Sequence, residues 1–375
     1  MSSRERFGFG ADFFYKMPGA DEKLLPEDAE GRDAAKRTGL RVGEQLTDQH
    51  GDAYIVKKPL GRGGMGEVYQ IEQERTGLDR ALKILHLESG DENKTERARE
   101  IAQQRLQAEI RALAQLQNPF ILPIIDVIEC KIDSQNVLGI VMDLAEEGTL
   151  RDKMDAGTLS KQDAVTYAAE IALALASVSE LGLVHRDVKP ENIFLDTIAP
   201  NTMIARLADF GLAIENGTRT PSADDAIKPD HIAQRNTDPG MVAGTPVYMA
   251  PEQASGEAVT AKSDLYALGV LLYEMLAGKP PFDSKHAIFI LSQKLKEDPK
   301  SFRDRGIAHI PEWLEDIVMS LIARKPQHRF DSARHVFGAL KEGVKESYPE
   351  LLTKEPFMWG MEVFRAIDLP NEEVK

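Results

Sequence analysis

Apolar and polar positions alternate in short runs through residues 40–144, whereas from Thr149 onward apolar residues recur three and four apart. The first spacing suits pleated strands and the second one-sided helices, so the chain is expected to be strand-rich early and helical late. Tyr54 to Val56 and Val68 to Ile71 read as two strands separated by a glycine turn, and Ala81-Leu82-Lys83-Ile84-Leu85 as a third. Leu106, Ile110, Leu113 and Ala114 define one apolar helical face, so this early part also carries one long helix. Further on, Ser160-x-x-Asp163 can cap a helix whose Ala164, Ala168, Ile171, Ala172 and Leu175 form an apolar stripe. Leu265 to Ala277 reads as a buried helix that starts after Ser263-Asp264 and stops at Gly278, with Pro280 and Pro281 beyond. Pro311 opens another, with Leu314, Ile317, Val318 and Leu321 as its packed side.

The ends break these patterns. Residues 1–39 mix Gly, Asp, Lys and Glu with Phe7, Phe9, Phe13 and Phe14 and hold no sustained period, which predicts a flexible or loosely docked arm. Residues 344–375 form a tail in which Phe357, Met358, Trp359 and Phe364 are expected to pack on the helical part.

Composition narrows the function classes. The 375 residues exceed the usual single domain, and two parts, 40–144 and 145–343, account for them. Against 46 basic side chains stand 61 acidic ones, a formal charge of −15, which argues against nucleic acid or an anionic membrane surface as the main partner. The single cysteine, Cys130, rules out an internal disulfide and suits a reducing cytoplasm. No membrane span is expected, because the best apolar stretch, Leu265 to Ala277, is too short and contains Glu274. The N-terminus carries Arg4 and Glu5 without an apolar core, so export is not expected and the protein is placed in the cytoplasm.

Chemistry concentrates in a few short motifs. Leu60-Gly61-Arg62-Gly63-Gly64-Met65-Gly66-Glu67-Val68 has the spacing G-x-G-x-x-G-x-V between two predicted strands. Glycines there let the backbone approach phosphate oxygens with its N–H groups. A dinucleotide-binding turn would need a helix straight after the glycines, and Val68-Tyr69-Gln70-Ile71 continues as strand instead. Lys83 is the one cation in an apolar run, and a lysine in such a place needs a partner; Glu109, on the predicted helix, is the candidate. Downstream, His185-Arg186-Asp187-Val188-Lys189-Pro190-Glu191-Asn192 is followed seventeen residues after Asn192 by Asp209-Phe210-Gly211. That set supplies what phosphoryl transfer requires: Asp187 can accept a hydroxyl proton, and Asn192 and Asp209 are oxygen ligands for Mg²⁺.

With these motifs in order, the chain resembles the eukaryotic-like serine/threonine protein kinases, in their bacterial form, from about Ala53 to about Leu340. Gly244-Thr245-Pro246-Val247-Tyr248-Met249-Ala250-Pro251-Glu252 looks like the segment that closes such a kinase's activation loop and receives the substrate. The resemblance implies an α+β, bilobal kinase fold, with a small mainly β lobe at 40–144 carrying one long helix and a larger mainly α lobe at 145–343. It further implies that Lys83, Asp209 and Asp187 converge on one ATP, with Mg²⁺, or Mn²⁺ in its place, as the metal. By the same resemblance Leu60, Val68, Ala81 and Phe194 would sandwich adenine, Met142 would sit behind it, and the backbone of Asp143 and Ala145 would meet its polar edge. Gly61, Gly63, Gly64 and Gly66 would lie over the phosphates. Glu252 would pair with Arg329, and Asp264 would brace the catalytic loop.

Subclass and regulation follow from the same likeness. Lys189, two residues after Asp187, is what serine/threonine kinases of this family carry, so proteins bearing Ser or Thr are the implied substrates. Arg186 commonly waits in the family for a phosphate on the activation loop. From Asp209 to Glu252 there are 43 positions, with Thr218, Thr220, Ser222 and Thr237 as acceptors, so autophosphorylation in trans is expected. Two other classes compete: a pseudokinase scaffold, which should lack Lys83, Asp187, Asn192 or Asp209, and a small-molecule phosphotransferase, which should lack the 244–252 segment.

Overall fold

The computed structural model describes residues 39–48, 51–63, 66–85, 107, 110–132, 135–145, 147–200, 202–210, 246–354 and 356–358. The expected N-terminal arm, most of the helix around Leu106, Glu109, Gly64, Gly211, Gly244, Thr245, the four loop acceptors, Trp359 and Phe364 lie outside them. The chain divides into two compact units, Met1–Ala114 with Pro123–Gly148, and Gln115–Leu122 with Thr149–Lys375.

In the first unit six strands form one antiparallel sheet in the order β1-β2-β3-β4-β6-β5. They are β1 (Gln45–Thr47), β2 (Ala53–Gly63), β3 (Gly66–Gln73), β4 (Leu78–Leu85), β5 (Ile124–Ile132) and β6 (Gln135–Asp143). β2 and β3 pair down to Gly63 opposite Gly66, so the glycine motif is the hairpin end foreseen from the alternation of apolar residues. Residues 110–114 are helical, with Ile110 and Leu113 buried on the predicted apolar face.

Register gives the two sheet faces different work. Side chains of directly paired residues share a face, and successive residues alternate. Tyr69 pairs with Leu82 and Leu82 with Val141, which puts these three with Ile71 and Ile84 on one face. There they join Leu40, Leu46, Tyr54, Val56 and Ile128 in the core of the unit. Each such fully buried aliphatic side chain contributes about 1.5–3 kcal/mol. Val68 pairs with Lys83 and Ala81 with Met142, so these four share the opposite face.

Among its described residues the second unit has helices and one hairpin, β7 (Ile193–Ala199) and β8 (Thr202–Leu207). Its helices are α1 (Leu150–Asp155), α2 (Lys161–Glu180), α3 (Pro251–Ser255), α4 (Ala261–Ala277), α5 (Ala287–Lys296), α6 (Glu312–Leu321) and α7 (Ala333–Ser347). α2 starts where expected: the Ser160 side chain accepts from Asp163 N–H and the Asp163 carboxylate accepts from Ser160 N–H. Every residue from Ala164 to Val178 of α2 is buried except Thr166, and it packs against α4, α7 and β8 as the central rod.

α4 begins earlier than its apolar run suggests. Thr260, not Ser263 or Asp264, is the cap, its side chain accepting from Lys262 N–H, so Ser263 and Asp264 lie inside the first turn. Ser263 completes that cap by accepting from Thr260 N–H at 3.3 Å, and both Ser263 and Asp264 also bond to partners farther along the chain. At Gly269 a Cβ would stand 2.5 Å from the Cβ of Leu321, so this glycine sets how closely α4 and α6 approach. In the tail Phe357 is buried against Phe337, ring centroids 6.1 Å apart, while Met358 is exposed. Among the described residues no helix is long and apolar enough to cross a membrane.

Candidate active site

On the first unit's second face, Val68, Ala81, Lys83 and Met142 are all buried, Lys83 with 4% exposure. Leu60 and Ala145 are buried as well. Gly61 pairs with Val68 across the hairpin, next to a register shift that follows Pro59. Gly66 has φ +143°, and a Cβ there would lie 1.9 Å from the carbonyl oxygen of Ile84. That glycine is therefore demanded by the neighbouring strand, a reason separate from any approach of phosphate. The backbone N–H of Asp143 donates to Pro123 O at 3.1 Å, and its carboxylate accepts from Arg80 at 2.6 Å.

The second unit assembles its polar residues around a loop, 184–192, carried between α2 and the β7–β8 hairpin. Register places Ile193 opposite Leu207, so the chain leaves the hairpin with Asn192 beside Ala208 and Asp209 next in line. Ala208 is gripped on both sides: its N–H donates to Asn192 O at 2.9 Å and its carbonyl accepts from His185 Nε2 at 3.0 Å. Main-chain bonds thus fix the spacing of Asn192 and Asp209. Phe194, on β7, is buried behind them.

Asp187 is held by its own neighbours. Lys189 Nζ donates to Oδ2 at 2.7 Å, and Asn192 Nδ2 donates to Oδ2 at 2.9 Å and to the Asp187 carbonyl at 2.8 Å. Among the described residues both contacts on the carboxylate fall on Oδ2, so Oδ1 can accept from a hydroxyl. Both Asn192 donations come from its nitrogen, so its amide oxygen can meet a cation.

Buried groups behind the loop keep it in shape. Asp264 accepts His185 N–H at 2.7 Å and Arg186 N–H at 2.8 Å, one on each oxygen, which is the bracing expected of it. Burial pushes this carboxyl up to about 7 against the pull of those two N–H groups. Two residues here adopt left-handed backbone without being glycine, Arg186 at φ +69° and Asp209 at φ +55°. Such conformations cost about 1–3 kcal/mol each and persist where surrounding bonds impose them. The Asp264 bonds do that for Arg186.

His185 is fully buried, and burial lowers its imidazole to about 4. Its Nε2–H is spent on Ala208 O, and Nδ1 accepts Asp187 N–H at 3.3 Å, so a single neutral tautomer satisfies both contacts. The folded value lies below the ordinary one, so the stability His185 contributes is present above about pH 6.5 and is lost as pH falls toward 4. Imidazole ¹⁵N shifts across a titration are expected to show His185 neutral, with its proton on Nε2, down to pH 5; protonation above pH 6 would contradict this.

Arg151 of α1 joins this region without any local sequence feature that announces it. Its guanidinium reaches Tyr248 Oη at 2.7 Å, Glu274 at 3.2 Å, Glu191 at 3.3 Å and Asp155 at 3.4 Å, and the Tyr248 hydroxyl donates to Glu274. This network ties the 246–250 segment to α4 and to the turn carrying Asn192. A lone Arg after a Thr cap reads as solvent-facing, and nothing local distinguishes it. The predicted Glu252–Arg329 pair forms, with two bonds of 2.7 and 2.8 Å and both side chains almost fully buried.

A two-unit fold with a glycine hairpin, a buried lysine on the sheet and this loop is matched by the protein kinase domain family over residues 54–339, and the chain belongs to that family. It is similar to bacterial serine/threonine-protein kinases. It is 34% identical over 289 residues to serine/threonine-protein kinase pkn2 of Myxococcus xanthus, covering 76% of this chain and 32% of that protein. It is 30% identical over 303 residues to PrkC of Bacillus subtilis, covering 80% and 41%. With PknB of Mycolicibacterium smegmatis it shares 32% identity over 313 residues, covering 82% and 46%. The chain thus spans from 32% to 46% of the length of these relatives.

Proposed function

We propose that the protein is a serine/threonine protein kinase that transfers the γ-phosphate of ATP to Ser or Thr hydroxyls of proteins. The observation that carries this is the loop in which Lys189 and Asn192 hold one oxygen of Asp187 while Ala208 ties Asn192 to Asp209. Asp187 Oδ1 takes the acceptor hydroxyl's proton, and Lys189, already 2.7 Å from Oδ2, carries positive charge to the γ-phosphate. Lys83 on its apolar sheet face meets the inner phosphates, with Glu109 as its partner. Val68, Ala81, Leu60 and Met142 of the first unit suit a flat purine, and the backbone of Asp143 and Ala145 reads the purine's edge.

The donor set fits Mg²⁺, with Mn²⁺ as an alternative. Asn192 Oδ1 and the Asp209 carboxylate are hard oxygen ligands, and Mg²⁺ is held by one or two such groups with water and phosphate completing its shell. When bound, the ion supplies charge neutralisation at the phosphate oxygens. The relatives are named serine/threonine-protein kinases, which supports the acceptor class. The single cysteine accords with work in a reducing cytoplasm.

Autophosphorylation in trans on Thr218, Thr220, Ser222 or Thr237, read out by Arg186, belongs to the same proposal. The test is incubation with γ-labelled ATP, Mg²⁺ and a generic basic protein, followed by mass mapping. Label on serine or threonine of the added protein and phosphate between Asp209 and Glu252 are expected. Label on neither would favour a scaffold, and label on a small hydroxylated acceptor alone would favour the small-molecule enzyme.

A further inference from the structure

We infer that Lys294 is a positioning residue for the acceptor segment: from α5 it holds the main chain of Val247 and Met249 in the shape that receives a substrate peptide. The inference rests on the kinase reading of that segment. Two residues of α5 are buried, Ile290 and Lys294, one helical turn apart. A lysine in the last turn of a surface helix ordinarily extends into water, where it also complements the helix dipole. Lys294 does the reverse and is 1% exposed.

Its Nζ donates to the carbonyl of Val247 at 2.5 Å and to that of Met249 at 2.6 Å, and lies 5.0 Å from the Tyr266 ring centroid. Among the described residues it makes no ion pair. Glu252, the acid that acts on it, gives both oxygens to Arg329 and one of them also to Ser263. Arg329 sits over the same Tyr266 ring at 4.8 Å and repels it. Carbonyls and a ring face are therefore what the ammonium has in place of a carboxylate.

A buried charge without a counter-ion is a poor device for stability, since an apolar residue of equal size would avoid the desolvation cost. What it does supply is geometry. Carbonyls of residues two apart point to one cation only if the intervening backbone holds one conformation. The residue between them, Tyr248, is anchored separately by its hydroxyl to Arg151 and Glu274. Residues 247–249 are thus gripped through the main chain by α5 and through the side chain by α1 and α4. Burial lowers the Lys294 ammonium to about 7, so the charge-assisted grip weakens as pH rises through neutrality.

The test compares wild type with Lys294→Met, which keeps the length and apolar stem. Steady-state kinetics with a Ser/Thr peptide are expected to show KM for peptide raised about tenfold, as for loss of a charged hydrogen bond. KM for ATP should stay within about twofold, because the ATP-binding groups proposed above do not touch Lys294. In wild type the peptide KM should rise as pH climbs through about 7, and that dependence should vanish in the variant. Hydrogen exchange supplies a readout independent of activity: amides of residues 247–250 should exchange faster while those of α4 do not change. Unchanged peptide KM and exchange would overturn the inference. So would a variant that does not fold, or one whose KM for ATP and exchange throughout the second unit shift together, since Lys294 would then support the whole unit. A wild type that labels no peptide would sink the kinase reading instead, and the exchange result would still report on Lys294.

Discussion

Asp187→Asn is expected to lower kcat for protein phosphorylation by about 10²–10⁴-fold, the usual contribution of a positioned general base, with KM for ATP and the unfolding midpoint little changed. The asymmetry of the wild-type contacts makes this substitution informative. Oδ2 accepts from both Lys189 and Asn192, and an asparagine oxygen can do the same in the same place. The new amide nitrogen must then occupy the Oδ1 position, where it presents hydrogen atoms to the incoming hydroxyl instead of a lone pair. The loop stays assembled and the proton acceptor is lost. A variant that keeps more than about a tenth of wild-type kcat would show that another group takes the proton, and one that also unfolds would show that the carboxylate's charge holds the loop together.

Sequence revealed those parts of the site whose geometry is local. Asp187, Lys189 and Asn192 lie within six residues of one another, so a single loop conformation brings them together and their order alone identifies the chemistry. The strand–glycine–strand reading held for a similar reason, because a hairpin's register follows from its turn and from alternation. Residues whose partners lie far along the chain were harder to read. From its neighbours Asp264 reads only as a helix cap, and it was the resemblance that named it as a brace; Thr260 caps α4 and Asp264 reaches back 79 and 78 positions to two backbone N–H groups. Arg151 has partners from 4 to 123 positions away, and only the packing of four elements makes it a hub. Lys294 did leave a trace: it stands four residues after Ile290 on the buried side of an amphipathic helix, the same anomaly of a cation in an apolar row that singled out Lys83. Glu252–Arg329 was named from resemblance alone, since neither residue's neighbours in sequence announce a buried pair.

Arg329→Met is expected to destabilise the second unit by about 3–5 kcal/mol, the cost of leaving one member of a buried ion pair without its partner. For a unit of this size that lowers the unfolding midpoint by roughly 10 °C. The loss extends beyond the carboxylate. Arg329 also donates to Ala323 O and Lys262 O at 2.8 Å and to Arg324 O at 3.1 Å, and none of these carbonyls can bond to a thioether. The pH dependence tells the pair's contribution from simple packing. Burial alone would raise the Glu252 carboxyl, but the Arg329 and Ser263 bonds outweigh it and hold the group below the ordinary glutamate value. In wild type the pair's contribution is therefore fully present above about pH 4.3 and is lost as pH falls through the lower folded value. In Arg329→Met the sign reverses: once the two Arg329 bonds and its charge are gone, burial outweighs what Ser263 and the Glu252 backbone N–H still supply, Glu252 binds a proton more readily folded than unfolded, and the gap between variant and wild type should narrow on acidification. Adding Glu252→Gln to Arg329→Met should recover part of the loss at neutral pH, because it removes the stranded charge and leaves an amide that can still accept from Ser263. Equal destabilisation at every pH, with no recovery in the double variant, would mean that the guanidinium acts through its carbonyl bonds and the Tyr266 ring and that its charge on Glu252 is incidental.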